Sequence, residues 1–129
     1  MVIQPGKAYL APGGYHMLVV ADGTQRVVRI DEGPPENFCR PAVDPMLRSL
    51  VEVYGARVLA AILTGMGHDG LRGGRAVVQA GGTIVAQNEA SSVVWGMPGA
   101  VAMAGLCSSV SPLDGLPGDI MMLANQGAA

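Results

Sequence analysis

Charge is scarce in this 129-residue chain. Lys, Arg, Asp and Glu together make up 14% of the residues, and the formal net charge is −2. A small domain has much surface to cover, so this deficit implies a surface normally covered by something else. A merely apolar soluble domain is the alternative reading. Aromatics are scarcer still: one Trp, three Tyr and one Phe. Together with the lack of any Lys/Arg cluster, this argues against nucleic acid as a partner. Long apolar runs are missing too. Segments such as Val58–Leu63 are far too short to span a bilayer, so no membrane insertion is expected. Met1–Pro5 carries no signal-peptide pattern. Cys39 and Cys107 lack metal-ligand spacing and read as free thiols of a cytoplasmic protein.

The length suits a single domain over residues 1–129. The first third is β-rich. "KAYLAPGG", "YHMLVV" and "TQRVVRI" are short runs broken by Pro12-Gly13-Gly14 and by Asp22-Gly23, so residues 7–30 read as a small antiparallel hairpin unit. Residues 31–41, "DEGPPENFCRP", read as a loop. Then the period changes. Val43, Met46, Leu47, Leu50, Val51 and Tyr54 share one helical face, with Asp44 as a candidate cap, Pro45 in the first turn and Gly55 as the stop.

Val58–Leu63 is apolar on both faces, as a strand inside a parallel sheet must be. After it come a helix to about Gly81, a strand at 83–86, a short helix in "MPGAVAMAG", a weak strand in "CSSVS" and a terminal helix in "LPGDIMMLANQG". The fold class implied is α/β. Residues 42–129 form βα units of a partial doubly wound, mostly parallel sheet, with the antiparallel hairpin near the N-terminus. Met103, Met121 and Met122 are expected to fill the core of their helices.

The candidate site is "LTGMGHDG", Leu63–Gly70, at the carboxyl end of a buried strand, where ligands gather in α/β sheets. A phosphate cradle is disfavoured: no Lys-Ser/Thr follows, G-x-G-x-x-G is absent, and Asp69 would repel an anion. Two readings stay open. Asp69 caps the helix while the glycines make the turn, or Asp69 orients a histidine base that activates a nucleophile. Glu89 is a second carboxylate near the same edge in motif order, with a surface or capping role as its alternative.

Five segments occur in order: "YLAPGGYHM", "RPAVD", "LTGMGHDG", "AQNEASSVVWGMP" and "SSVSPL". Together they resemble the catalytic domain of chemotaxis protein-glutamate methylesterases, from about Gly6 to the last helix. The resemblance implies Asp69 as the triad aspartate. It implies Met66 at the rim of the site, its backbone N–H holding the oxyanion. It implies hydrolysis of glutamate γ-methyl esters on cytoplasmic helices of methylated chemoreceptors, without metal or cofactor, under control of a phosphorylatable receiver domain. Ala42 stands where the family usually has serine, His68 where asparagine is common and Leu71 where alanine is usual. Trp95 stands at the family's aromatic before "GMP".

The same resemblance places the nucleophilic serine and the base histidine before the segment matching "GKAYLAPGG", outside residues 1–129. No G-x-S-x-G occurs in the chain. His68 adjoins Asp69 and diverges from it, and His16 matches a family histidine other than the base. Residues 1–129 alone are therefore expected to be inactive, and the open strand edge and uncovered apolar face are expected to drive a homodimer that pairs equivalent edges or exchanges elements between chains. A non-catalytic interaction module is the alternative from another class.

Overall fold

The computed structural model describes residues 1–127. Strands β1 (His16–Asp22) and β2 (Gln25–Asp31) form an antiparallel hairpin. Asp22 pairs with Gln25, so the turn is Gly23-Thr24. Helix α1 (Val43–Tyr54) follows, and Gly55 ends it, its N–H donating to the Val51 carbonyl. Strand β3 (Leu59–Ile62), helix α2 (Leu71–Gln79), strand β4 (Thr83–Gln87), helix α3 (Met97–Met103), strand β5 (Ser109–Ser111), a 3-10 turn (Leu113–Gly115) and helix α4 (Leu116–Gly127) follow in order.

The sheet is three-stranded and parallel in the order β3-β4-β5, separate from the hairpin. Ile84 and Ala86 on β4 belong to the core with Ala60 and Ile62 of β3, Val77 of α2 and Val101 of α3. All six residues of the helical face read in α1 join it. Side chains alternate along a strand, so Val85, also fully buried, serves the opposite face, where α4 packs on β4 and β3. Fully burying a Val or Ile contributes about 1.5–3 kcal/mol, so central β4 is the strand best secured by apolar burial.

Two expectations need correction. Residues 7–14 form no strand. Pro12-Gly13-Gly14 break the run, and the Tyr9 hydroxyl turns the chain back, accepting from the Gln4 N–H (2.9 Å) and donating to the Val2 carbonyl (3.3 Å). Residues 1–3 pair with β2 instead: Ile3 N–H donates to the Arg26 carbonyl and Val28 N–H to the Met1 carbonyl, each at 2.8 Å. Second, Met103, Met121 and Met122 are exposed, not core. Small residues such as Gly74 and Gly99 let α2 and α3 approach their neighbours closely, and the core closes without these methionines.

Candidate functional site

The Leu63–Gly70 loop leaves the carboxyl end of β3 and is held from below by β4. Gln87, buried at the end of β4, accepts the Thr64 N–H on Oε1 (2.8 Å) and donates from Nε2 to the Ser91 carbonyl (2.7 Å). The Gln87 carbonyl accepts Trp95 Nε1–H (2.9 Å). The segment after β4 then folds over the loop. Gly65 N–H donates to the Val94 carbonyl (3.0 Å), and the Gly65 carbonyl accepts from Gly96 N–H (3.1 Å) and Met97 N–H (2.9 Å). A Cβ at Gly96 would lie 2.7 Å from the Gly67 carbonyl oxygen and 2.8 Å from that of Gly65. Only glycine permits this approach.

Asp69 is 5% exposed. Its Oδ2 accepts the Val43 N–H (2.7 Å); its Oδ1 accepts the Asp44 N–H (3.1 Å) and Asn37 Nδ2–H (3.0 Å). Asp69 therefore caps α1, not the helix that follows it. Ala42, at the N-cap of α1, has no side-chain acceptor, and the aspartate from across the chain satisfies the first N–H groups. Asp44 does not cap α1 either. Its Oδ1 accepts Gly70 N–H (3.1 Å) and Gly73 N–H (2.7 Å) at the start of α2, and its Oδ2 accepts Asn37 Nδ2–H (2.8 Å). Gly73 has to be small here: its Cβ would lie 2.8 Å from Leu47 Cβ and 3.1 Å from the Asp44 backbone.

Asn37 and Asp44 are the site residues that sequence reasoning missed. Asn37 lies in the stretch read only as a loop, 32 residues from Asp69. The sole signal was a polar residue well able to adopt a left-handed conformation between prolines.

The other candidates sort clearly. Met66 is exposed at the tip of the loop, and its N–H has no hydrogen-bond partner among the described residues. Glu89 is exposed in the turn after β4 and joins none of these contacts. His68 is exposed. His16 is buried and fully engaged: Nδ1 accepts the Ala42 N–H (3.2 Å), so Nε2 carries the proton donated to the Pro34 carbonyl (2.9 Å). It is a brace for the start of α1. Arg48, one turn beyond Asp44, pairs with Glu36 at 2.7 Å. Its pKa is raised, first by the Glu36 hydrogen bond and then, against some desolvation, by the negative field of Glu36, Asp44 and Asp69. Among the described residues no group of three His, Cys, Asp or Glu is placed to hold a metal ion.

The family model described as CheB methylesterase matches residues 1–120. A protein-glutamate methylesterase/protein-glutamine glutaminase from Paramagnetospirillum magneticum is 63% identical over 122 residues, which are 95% of this chain and 32% of the relative. One from Azospirillum brasilense is 58% identical over 127 residues, 98% of this chain and 32% of that protein. The chain thus spans about a third of the length of the curated relatives it matches. The crystal structure of the Thermotoga maritima CheB methylesterase catalytic domain superposes with a TM-score of 0.92 at 36% identity, over 95% of this chain and 65% of that one.

Proposed function

The chain belongs to the CheB methylesterase family, and from that premise we propose that it is the part of a Ser-His-Asp hydrolase that carries the orienting aspartate and one oxyanion donor. The observation behind this is the acceptor count at Asp69. A carboxylate has about four acceptor positions. Three are filled by N–H donors from α1 and Asn37, both positions on Oδ1 included, which leaves one on Oδ2. A buried carboxylate fixed by three donors and free at one position is suited to hold an imidazole N–H in one orientation.

The chemistry follows. A serine and a histidine from the rest of the catalytic domain face the site. The serine oxygen adds to the γ-carbonyl of a glutamyl methyl ester as histidine takes its proton. The carbonyl oxygen becomes an oxyanion held by the free Met66 N–H. Histidine returns the proton to the leaving oxygen, methanol departs, and water hydrolyses the acyl-serine by the same steps. The names of the relatives include glutamine glutaminase activity. An amide would follow the same path with ammonia as leaving group.

The substrate proposed is the cytoplasmic helices of methylated chemoreceptors, acted on in the cytoplasm under a receiver domain. Among the described residues no helix is long and apolar enough to cross a membrane.

The test is a chimera in which this chain replaces the matching stretch of the Paramagnetospirillum magneticum relative. It should release methanol from methylated receptor, and Asp69→Asn should lower kcat by up to about 10⁴-fold, since an amide there favours the wrong imidazole tautomer. A rate for Asp69→Asn within about tenfold of the parent would demote Asp69 to a helix cap.

A further inference from the structure

The Asn37 side-chain amide lies between two carboxylates. Nδ2 donates to Asp69 Oδ1 at 3.0 Å and to Asp44 Oδ2 at 2.8 Å. Its orientation follows from chemistry: turned over, the amide oxygen would face two carboxylate oxygens. Asn37 and Phe38 both have positive φ, 53° and 63°. Glu36 and Cys39 exchange backbone hydrogen bonds around them at 3.0 and 2.8 Å. This is a type I′ turn, for which asparagine is well suited. It aims a short amide into the gap between the N-termini of α1 and α2.

We propose that Asn37 is a positioning residue for Asp69, with Asp44 as its second anchor. The inference rests on the reading of Asp69 as the orienting aspartate. Asn37 fills the second position on Oδ1, so an incoming imidazole meets Asp69 only at Oδ2. Asp44 ties the same amide to Gly70 N–H and Gly73 N–H. The loop bearing Asp69 is thereby fixed relative to both helices. Without the amide, Oδ1 gains an open position, and the carboxylate can turn about the bonds to Val43 and Asp44.

The experiment uses the chimera described above. Asn37→Gly removes the amide and accepts the left-handed backbone; Asn37→Asp keeps the shape but sets an acceptor against two carboxylates. Both should lower kcat on the order of 10²-fold with KM changed by no more than about twofold, as expected when a catalytic group is misplaced by ~1 Å. A kcat for Asn37→Gly within about threefold of the parent overturns the proposal, whatever happens to the melting temperature. Hydrogen exchange gives a readout that needs no activity. In Asn37→Gly the Val43 and Asp44 amides, which bond to Asp69, should exchange about tenfold faster or more while the Ile84 amide is unchanged. Unchanged exchange at Val43 and Asp44 also overturns it. A parent chimera that releases no methanol refutes the reading of Asp69, and exchange then decides the role of Asn37 alone.

Discussion

Asp44 and Asp69 exchange helix caps. Asp69 precedes α2 and accepts from the Val43 and Asp44 N–H groups of α1; Asp44 lies in α1 and accepts from Gly70 and Gly73 at α2. Helix N-termini leave N–H donors unpaired and carry partial positive charge. Two such ends meet here, and each carboxylate satisfies the other helix. Asp44→Ala would deprive three N–H groups of their acceptor: the buried Gly70 and Gly73 amides and one hydrogen of the half-buried Asn37 amide. It should lower the unfolding free energy by about 3 kcal/mol. Urea denaturation of the chimera and its variant measures the difference. A loss under about 1 kcal/mol would show that water replaces the carboxylate.

Gly96→Ala should act on the site without touching a titrating group. Its Cβ would meet the Gly65 and Gly67 carbonyl oxygens, which flank Met66. Backbone cannot yield as a side-chain tip can, so the loop must shift. In the chimera, kcat should fall about 10–100-fold, since a displacement near 1 Å is enough for that. Activity equal to the parent would mean that the position of the Met66 N–H does not matter to the reaction.

Much of this was legible in the chain because it is local. The 3.6-residue period from Val43 to Tyr54 marks α1, and the six-residue apolar run marks β3. The loop at Asp69 could be placed because strand ends in α/β sheets collect polar groups. Other features depended on distant partners. Residues 7–14 alternate like a strand, yet Val2 takes the place beside Val27. Asp44 sits where a cap belongs, but the backbone donors it serves are 26 and 29 residues away. No periodicity in the sequence brings Asn37 to Asp69.

Acid should weaken the link between β5 and α4. Ser111 and Ser109 donate to Asp119 Oδ2 at 2.6 and 2.7 Å. With both hydroxyl protons so used, the 2.8 Å approach of the two serine oxygens adds no further bond. These bonds, Ser111 first, hold the Asp119 pKa below its usual value. A depressed folded pKa contributes stability above the unfolded value of about 3.9, and this is lost as pH falls through the folded value. Asp119→Asn should therefore lower the urea midpoint at pH 7, with the gap to the parent closing below about pH 4. A gap that persists undiminished at low pH would show that the carboxylate charge is not what matters.

Residues 1–129 on their own should associate through β3. This strand is one of the two edges of the sheet, β5 being the other. The Val58 carbonyl accepts the Thr83 N–H, so by alternation the N–H and C=O groups of Leu59 and Ala61 point away from β4. Alongside runs an apolar groove of about 370 Å³, walled by Val43, Met46 and Leu50 of α1. Unpaired edges recruit strands. A second copy offers the same edge, and antiparallel pairing of the two about a twofold axis near Ala61 satisfies both at once. Sedimentation at micromolar concentration should give twice the 13.2 kDa chain mass. Ala61→Lys should restore the monomer, because antiparallel pairing brings the two introduced ammonium groups together across the axis. A parent that sediments as a monomer would mean that α1 and the Leu63–Gly70 loop shield the edge well enough without a partner.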